Sequence, residues 1–150
     1  MSPEDAARYK DWNVQKIREV SIHNSESDTM TLGKFEPSIN SDGTENWLIA
    51  GERSYNTIAQ NNGDMYFDMK DGLYEEIQTR YNISSNEMFE KFNIPAINKA
   101  IEENKIIRFS HNPNLNKYKN SYMYLEWSYL KNECQYTHLI QKGEYWYAVK

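Results

Sequence analysis

Cysteine is nearly absent from this chain of 150 residues, which contains Cys134 alone. No intrachain disulfide can therefore form, and no cysteine-based zinc site can be built. Long apolar runs are also missing, because no stretch approaches the roughly 18 residues that a membrane-spanning helix requires. The first fifteen residues, MSPEDAARYKDWNVQ, lack the features of a secretory signal peptide. The sequence thus predicts no membrane association, and any export would depend on a larger parent chain or another route.

Positive charge is in deficit, since the formal net charge is -5. This balance argues against a broad basic surface that holds nucleic acid by counterion release, but it permits a small cluster of cations at one reactive phosphate. The sequence also lacks a His-Glu-x-x-His motif, a glycine-rich phosphate loop and a serine nucleophile elbow. It predicts neither a metal nor a cofactor, although the scattered acids Asp64, Asp68 and Glu126 leave a magnesium site open as an alternative.

The residues that are abundant describe a globular protein. Hydrophobic residues make up 39% of the chain and charged residues 26%, which is typical of a folded domain. Tyrosine is unusually frequent, with 12 copies, and it suits half-buried positions because its ring is apolar while its hydroxyl needs a partner. The length favours one domain with its own core.

Periodicity and turn residues predict an α+β fold, with a single compact domain over residues 27–150. Helices are expected to pack on a mostly antiparallel sheet of about five strands. Residues 1–26 form a helical leader and linker, whose loosely periodic apolar positions predict weak packing. The segment that follows Phe35, EPSINSDGTENWLIAGE, is rich in turn residues and predicts an excursion over the surface. The predicted strands are residues 30–35, 65–69, 105–110 and two strands of a hairpin around Lys142-Gly143.

Four side chains are candidates for chemistry. His111 follows a predicted buried strand, where it could transfer protons or merely cap a turn. Arg108 could hold a phosphate, or it could form a salt bridge with one of the many glutamates. Lys34 follows Gly33, which marks a bend or a close backbone approach. Glu126 lies among aromatic residues in YMYLEWSYL, so it is either at the edge of an apolar helix face or buried with a partner.

Several segments share their order and spacing with a known family. They are SDTMTLGKF, SYNTIAQNNGDMYFDM, EMFEKFNIPAINKAIEENKIIRFSHNP and LEWSYLK followed by YTHLIQKGEYWYAV. In this respect the chain resembles the C-terminal toxin domains of bacterial polymorphic toxins, namely the effector modules of contact-dependent inhibition, Rhs and LXG proteins. The resemblance runs from about Ser27 to the end of the chain, and Asn93 stands at the family's asparagine position. The insertion between Lys34 and Ser54 is longer than the family pattern.

The resemblance implies an interbacterial toxin that is delivered as the C-terminal part of a larger protein and acts in the cytoplasm of the target cell. A cognate immunity protein would neutralise it in the producing cell. Many such modules are nucleases, and several are metal-independent ribonucleases that cleave tRNA. The negative net charge then requires either a local basic cleft or a host partner, such as an elongation factor, that delivers the RNA.

This interpretation assigns roles to individual residues. His111 is the expected base or acid, with Arg108 and Lys34 on the phosphate and Glu126 as a further catalytic residue. The predicted substrate-binding residues, which orient the substrate or stack on its bases, are Ser110, Asn112, Tyr122 and Tyr55. Positions 108 and 111 differ by three, so an ideal strand would direct their side chains to opposite faces. A kink near Ser110 would be needed to bring them together.

Two other readings of the sequence remain open. In the first, the chain is a toxin that consumes NAD or transfers ADP-ribose, with Glu126 serving the nicotinamide ribose. In the second, it is a non-enzymatic immunity or adaptor module whose acidic, tyrosine-rich surface masks a basic partner.

Overall fold

The computed structural model describes residues 14–69 and 73–150, in which helices and strands follow one another irregularly. The helices are α1 (Val14–Ser21), α2 (Tyr55–Asn62), α3 (Leu73–Tyr81), α4 (Ser85–Met88), α5 (Ile94–Glu102) and α6 (Tyr122–Glu133). The strands are β1 (Ile22–His23), β2 (Thr29–Leu32), β3 (Pro37–Ile39), β4 (Glu45–Ala50), β5 (Tyr66–Phe67), β6 (Ile106–Phe109), β7 (His138–Lys142) and β8 (Tyr145–Val149). Within the described residues, no helix is both long and apolar enough to cross a membrane.

The main sheet has four strands in the order β2-β6-β8-β7. Strands β2 and β6 are parallel, whereas β6 with β8 and β8 with β7 are antiparallel. Two further antiparallel pairs, β1 with β5 and β3 with β4, lie outside this sheet. The predicted α+β fold with mostly antiparallel strands is confirmed. The strand count differs from the prediction, because eight strands in three sheets occupy the described part of the chain.

The larger core lies between the main sheet and helices α5 and α6. Its buried members are Met30, Leu32, Met65, Ala96, Ile97, Ala100, Ile107, Phe109, Met123, Trp127 and Leu130. Phe109 meets Trp127 edge to face, with ring centroids 6.0 Å apart, a favourable geometry for two aromatic rings. Because side chains alternate along a strand, Ile107 and Phe109 face this core while Arg108 between them points to the other face.

A second, smaller core includes the first described helix. Ile17 of α1 is buried together with Ile77, Met88 and Phe92. The helix predicted over residues 2–20 is observed from Val14, and its earlier part lies outside the described residues. The loose apolar pattern predicted weak packing of this helix. In the structure Ile17 joins α1 to the second core.

The predicted helix signals agree with the structure in the middle of the chain. Ser84 caps α4 by accepting a hydrogen bond from the Glu87 backbone at 3.2 Å, and Gly63 ends α2 in the left-handed conformation at φ 71°. Between α4 and α5 the chain does not break. It continues through a π-helical turn, Phe89–Asn93, a local form often found at functional sites.

The segment expected to be an excursion over the surface is a hairpin formed by β3 and β4. Its turn contains Gly43 at φ 87°, a backbone conformation that glycine adopts without steric strain. The predicted surface position is observed. The two strands were not predicted, because β3 has only three residues and begins with Pro37, and turn-forming residues dominate the segment.

Candidate functional site

A cavity of about 300 Å³ opens beside the end of β2, between α2, β5 and α6. Its walls are largely aromatic or aliphatic, and a few polar groups converge on it, a combination typical of small-molecule sites. The lining residues are Leu32, Gly33, Lys34, Phe35, Tyr55, Phe67, Asp68, Met69, Tyr74, Asn93, Tyr122, Met123 and Glu126. Four of the eight predicted site residues therefore share one cavity, namely Lys34, Tyr55, Tyr122 and Glu126.

Gly33 brings three chain segments together at the rim of this cavity. A Cβ atom at this position would lie 1.8 Å from Ser110 Oγ and 2.9 Å from Tyr55 Cβ, so no larger residue fits without displacement. The predicted close backbone approach is confirmed. Lys34 follows directly, and its backbone carbonyl accepts a hydrogen bond from the Tyr55 N–H at 3.0 Å. Lys34 is the one cation among the described residues that line the cavity.

Glu126 reaches the cavity from the buried side of α6. Ser121 caps this helix by accepting a hydrogen bond from the Tyr124 N–H at 3.2 Å. One helical turn then separates Met123 from Glu126 and Trp127, which all lie on the inward side of the helix. The Glu126 side chain is buried, with the residue only 6% exposed. Of the two placements considered from the sequence, burial is the one observed.

The environment of Glu126 favours its neutral form. Burial raises the pKa of this carboxyl to about 8, and a hydrogen bond from the Asn93 side chain offsets the shift only in part. No ion pair involves Glu126 in the described part of the chain, even though Lys34 lines the same cavity. A carboxyl with a pKa near neutrality can give or take a proton at physiological pH.

The two predicted tyrosines are both anchored by their hydroxyl groups. Tyr55 donates a hydrogen bond to the Phe67 carbonyl at 2.6 Å, and burial, with the charges of Asp68 and Glu126, raises its pKa well above the ordinary value. The Tyr122 hydroxyl bonds to that of Tyr74 and donates to a backbone carbonyl. Burial and the Tyr74 contact raise its pKa to about 12. Both tyrosines therefore line the cavity in their neutral form and do not transfer protons near pH 7.

His111 lies behind the cavity rim, where it joins two other side chains. Its Nδ1 is 2.6 Å from Ser110 Oγ, and its Nε2 is 2.9 Å from Glu36 Oε1. Burial lowers the pKa of His111 below its ordinary value, although the bond to Glu36 opposes this shift. Ser110 is itself buried against Gly33. The predicted pair Ser110 and His111 thus adjoins the cavity through Gly33 and does not line it.

Arg108 is held on the opposite face of the sheet. Its guanidinium bonds to Asp64 Oδ2 at 2.5 Å, to the Tyr147 hydroxyl at 3.0 Å and to Thr31 Oγ1 at 3.3 Å. It also lies 3.9 Å from the centre of the Tyr145 ring, a cation–π contact. Burial lowers the pKa of Arg108, but the bonds to Asp64 and Tyr147 outweigh it and the net shift is upward. A salt bridge, the alternative to phosphate binding, is the observed arrangement, but its acid is Asp64 and not one of the glutamates.

Asn112 stabilises the turn that follows β6. Its Oδ1 accepts a hydrogen bond from the Asn114 N–H at 3.0 Å, a local bond typical of asparagine in turns. It is not among the residues that line the cavity. Its predicted role in substrate binding stays a prediction, without support from this geometry.

Three groups at the cavity were not among the predicted site residues: Asn93, Asp68 and Tyr74. Asn93 stands at the end of the π-helical turn, and the resemblance to the toxin domains was the one signal in the sequence that could have identified it. Asp68 accepts a hydrogen bond from Asn56 at 3.2 Å. Within the described residues no group of three potential metal ligands is found, and Asp64 is paired with Arg108 away from Asp68 and Glu126.

Comparisons of the chain with protein-family models, with curated proteins and with solved structures gave no match. The function of this chain must therefore be inferred from the residues of the cavity. A near-neutral buried carboxyl and a lysine that share an aromatic cavity can transfer protons and hold an anion.

Proposed function

We propose that this chain is an RNA-cleaving toxin domain whose active site is the cavity with Glu126 and Lys34. One observation supports this most directly: Glu126 is buried at a cavity wall without an ion-pair partner among the described residues, while Lys34 lines the same space. Strongly perturbed carboxyls in clefts are typical of catalytic groups. The toxin class, the delivery as part of a larger protein and the immunity partner follow from the family resemblance.

The cleavage needs only a proton carrier and a cation. The ribose 2′-hydroxyl attacks the adjacent phosphorus, its proton passes to ionised Glu126, and the 5′-oxygen leaves with a proton from the acid form. A group with a pKa of about 8 exists in both forms near pH 7, so one residue can serve both steps. Lys34 stabilises the charge that develops on the phosphoryl oxygens. No metal is required for this chemistry.

The cavity walls suit a nucleobase. Phe35, Tyr74 and Tyr122 present aromatic surface, and stacking on aromatic rings is the common way in which proteins hold single-stranded RNA. Lys34 is the one cation at the cavity among the residues that the structure describes, which agrees with a small phosphate site in an acidic protein. We propose tRNA as the substrate class and a host elongation factor as its carrier, on the family resemblance alone.

His111 has a positioning role in this proposal. Its bond to Ser110 holds the residue that packs against Gly33, so that Lys34 and Tyr55 keep their places at the rim. Replacing Glu126 should therefore remove cleavage, whereas replacing His111 should reduce it less. Under the sequence-based assignment of His111 as the base, the two losses would be equal.

The test is expression of the parent chain, Glu126→Gln, Lys34→Gln and His111→Ala in a susceptible cell without an antidote. Total RNA is then separated on a denaturing gel, and cellular NAD is measured in the same samples. The matched control is Glu133→Gln, an exposed glutamate on the same helix. We expect RNA fragments from the parent and the control, none from Glu126→Gln, and at least a tenfold slower appearance with Lys34→Gln.

Four results would contradict the proposal. Fragments from Glu126→Gln at the parental rate would exclude Glu126 as the proton carrier. Loss of NAD with intact RNA would indicate the NAD-consuming alternative. Harmless expression of the parent chain would favour a non-enzymatic binding module. Cleavage by purified protein that stops in a metal chelator would indicate a metal nuclease.

A further inference from the structure

The β3–β4 hairpin has a three-residue bulge. Ser38 is paired with Asn46 and Pro37 with Ala50, so residues 47–49 have no partner in β3. The bulge is ordered by its own bonding, because the Leu48 N–H donates to Asn46 Oδ1 at 3.0 Å. Residues 47–49 therefore project from the paired part of the hairpin.

All three bulge residues are large, apolar and exposed. Trp47 is 60% exposed, Leu48 81% and Ile49 57%. Ile39 on the neighbouring strand is also exposed, and the Trp47 ring stacks on Phe35 with centroids 6.1 Å apart. Consecutive exposed apolar residues of this size are rare on a monomer and mark surfaces that bind another molecule.

The charge around the bulge discriminates among possible occupants. Residues 36–53 carry four acids (Glu36, Asp42, Glu45 and Glu52) against one cation, Arg53, a formal charge of -3. RNA and anionic lipid would be repelled by this segment. A second copy of the chain would bring two such segments together, which like charges disfavour. A partner with positive charge around an apolar pocket fits both features.

The hairpin adjoins the cavity. A groove of about 750 Å³ is lined by the hairpin and the residues that flank it, and Lys34 and Phe35 line both this groove and the cavity. Any molecule seated on the hairpin from this side therefore lies at the cavity mouth.

We propose that the Trp47–Ile49 bulge is the anchor for a protein partner that has an apolar pocket rimmed by lysine or arginine, and that this partner covers the cavity. A tryptophan flanked by aliphatic residues is a typical interface anchor. The inhibitory consequence rests on the proposed RNA cleavage, whereas the docking itself does not. For a toxin, this surface would be the one that the immunity protein recognises.

The probe is a phage library of random dodecapeptides, selected on the immobilised parent chain. Phage that also bind the Trp47→Ser/Leu48→Ser/Ile49→Ser variant are removed first, and circular dichroism confirms that this variant is folded. Peptides that remain are synthesised, and their dissociation constants are measured for the parent, the triple variant and Ile140→Ser. The last is the matched control, because Ile140 is an exposed apolar residue on β7.

We expect enriched peptides that combine net positive charge with apolar residues. They should bind the triple variant at least about tenfold more weakly than the parent and Ile140→Ser equally well, and they should slow RNA cleavage by the parent. Lack of enrichment, or enrichment of acidic peptides, would overturn the docking proposal. Bulge-dependent binding to phosphatidylglycerol vesicles, or bulge-dependent dimerisation in ultracentrifugation, would also overturn it. Selective peptide binding that leaves measurable cleavage unchanged would refute only the covering of the cavity, and a parent without RNA cleavage would refute the proposed function alone.

Discussion

Arg108 and Glu126 are both charged residues withdrawn from water, but the protein treats them in opposite ways. Arg108 has Asp64 as a counter-ion, hydroxyl acceptors and an aromatic face. The Glu126 carboxyl is buried and is hydrogen-bonded to the Asn93 side chain, and burial raises its pKa so that the neutral form is favoured. The contacts of Arg108 pair its charge and stabilise the fold, whereas the raised pKa of Glu126 allows it to exchange a proton near neutral pH.

Both residues were catalytic candidates from the sequence, but this difference favours a catalytic role for Glu126 only. Arg108 was a candidate because a guanidinium can hold a phosphate, and Glu126 because it is an acid among aromatic residues. Only the surroundings distinguish a structural ion pair from a reactive group, and those surroundings come from distant parts of the chain. Four predictions test the comparison, in order of decreasing effect.

Removing the counter-ion of Arg108 should have the largest effect. In Asp64→Ala the guanidinium keeps its partly buried position without a carboxylate, and Thr31 Oγ1 loses its acceptor. We expect the free energy of unfolding, measured by urea denaturation, to fall by about 3 kcal/mol. The double variant Asp64→Leu/Arg108→Met should recover much of this loss. A loss below about 1 kcal/mol would show that the pair is not structural.

Replacing Glu126 with glutamine should raise the free energy of unfolding, whereas Asp64→Ala lowers it. The folded state holds this proton up to a pKa of about 8, whereas the ordinary value is 4.5. Between these values the folded chain binds more protons than the unfolded chain, so parental stability falls as pH rises through this window. Glu126→Gln cannot lose a proton there. Its advantage in unfolding free energy should be absent near pH 4.5 and should reach the order of a few kcal/mol at pH 8.

Thermal or urea unfolding of both chains between pH 4.5 and pH 8.5 measures this difference. Glu133→Gln serves as the matched control, because it makes the same substitution at an exposed position on the same helix. A difference between Glu126→Gln and the parent that stays constant with pH would mean that Glu126 is ionised in the folded chain.

Adding a methyl group at Gly33, between the end of β2 and the cavity, should have a smaller effect on stability. Gly33→Ala would place Cβ against Ser110 Oγ and close to Tyr55, and overpacking of this kind destabilises by about 1–2 kcal/mol. Adding Ser110→Gly should restore part of that stability, because the nearest contact disappears. Equal unfolding midpoints in urea for Gly33→Ala and the parent would show that the rim can relax without cost.

The smallest effect is expected at the His111–Glu36 pair. Glu36→Gln removes the carboxylate that favours the charged imidazole, so the pKa of His111 should fall further below its ordinary value. NMR titration of the ring protons measures this shift. The stability change should stay within about 0.5 kcal/mol, since Glu36 is partly exposed. An upward shift of the His111 pKa would show that Glu36 is not its partner in solution.

Local signals in the sequence predicted much of the fold. The caps at Ser84 and Gly63, the hairpin at Gly143 and the alternation in β6 depend on neighbouring residues, so they can be read along the chain. The β3–β4 hairpin was missed because its strand pattern is broken by the bulge. The π-helical turn was missed because two ordinary helix signals stand on either side of it.

The candidate site was predictable only in part. Gly33 and Lys34 were recognisable from a strand that ends in glycine, and Glu126 from an acid within an apolar helix pattern. That Glu126 lacks a counter-ion in the described structure while Arg108 has one was not predictable, because Asp64 and Arg108 are 44 positions apart.

The sequence by itself determined the α+β class, the helix ends and the short set of residues that could carry chemistry, since each depends on local conformational preference or composition. The tertiary structure alone decided which of those residues meet. It paired Arg108 with Asp64, set His111 behind Gly33 and buried Glu126 beside Lys34. The physical reason is that charge pairing, burial and the resulting proton affinity are properties of neighbours in space, which a chain acquires only when it folds.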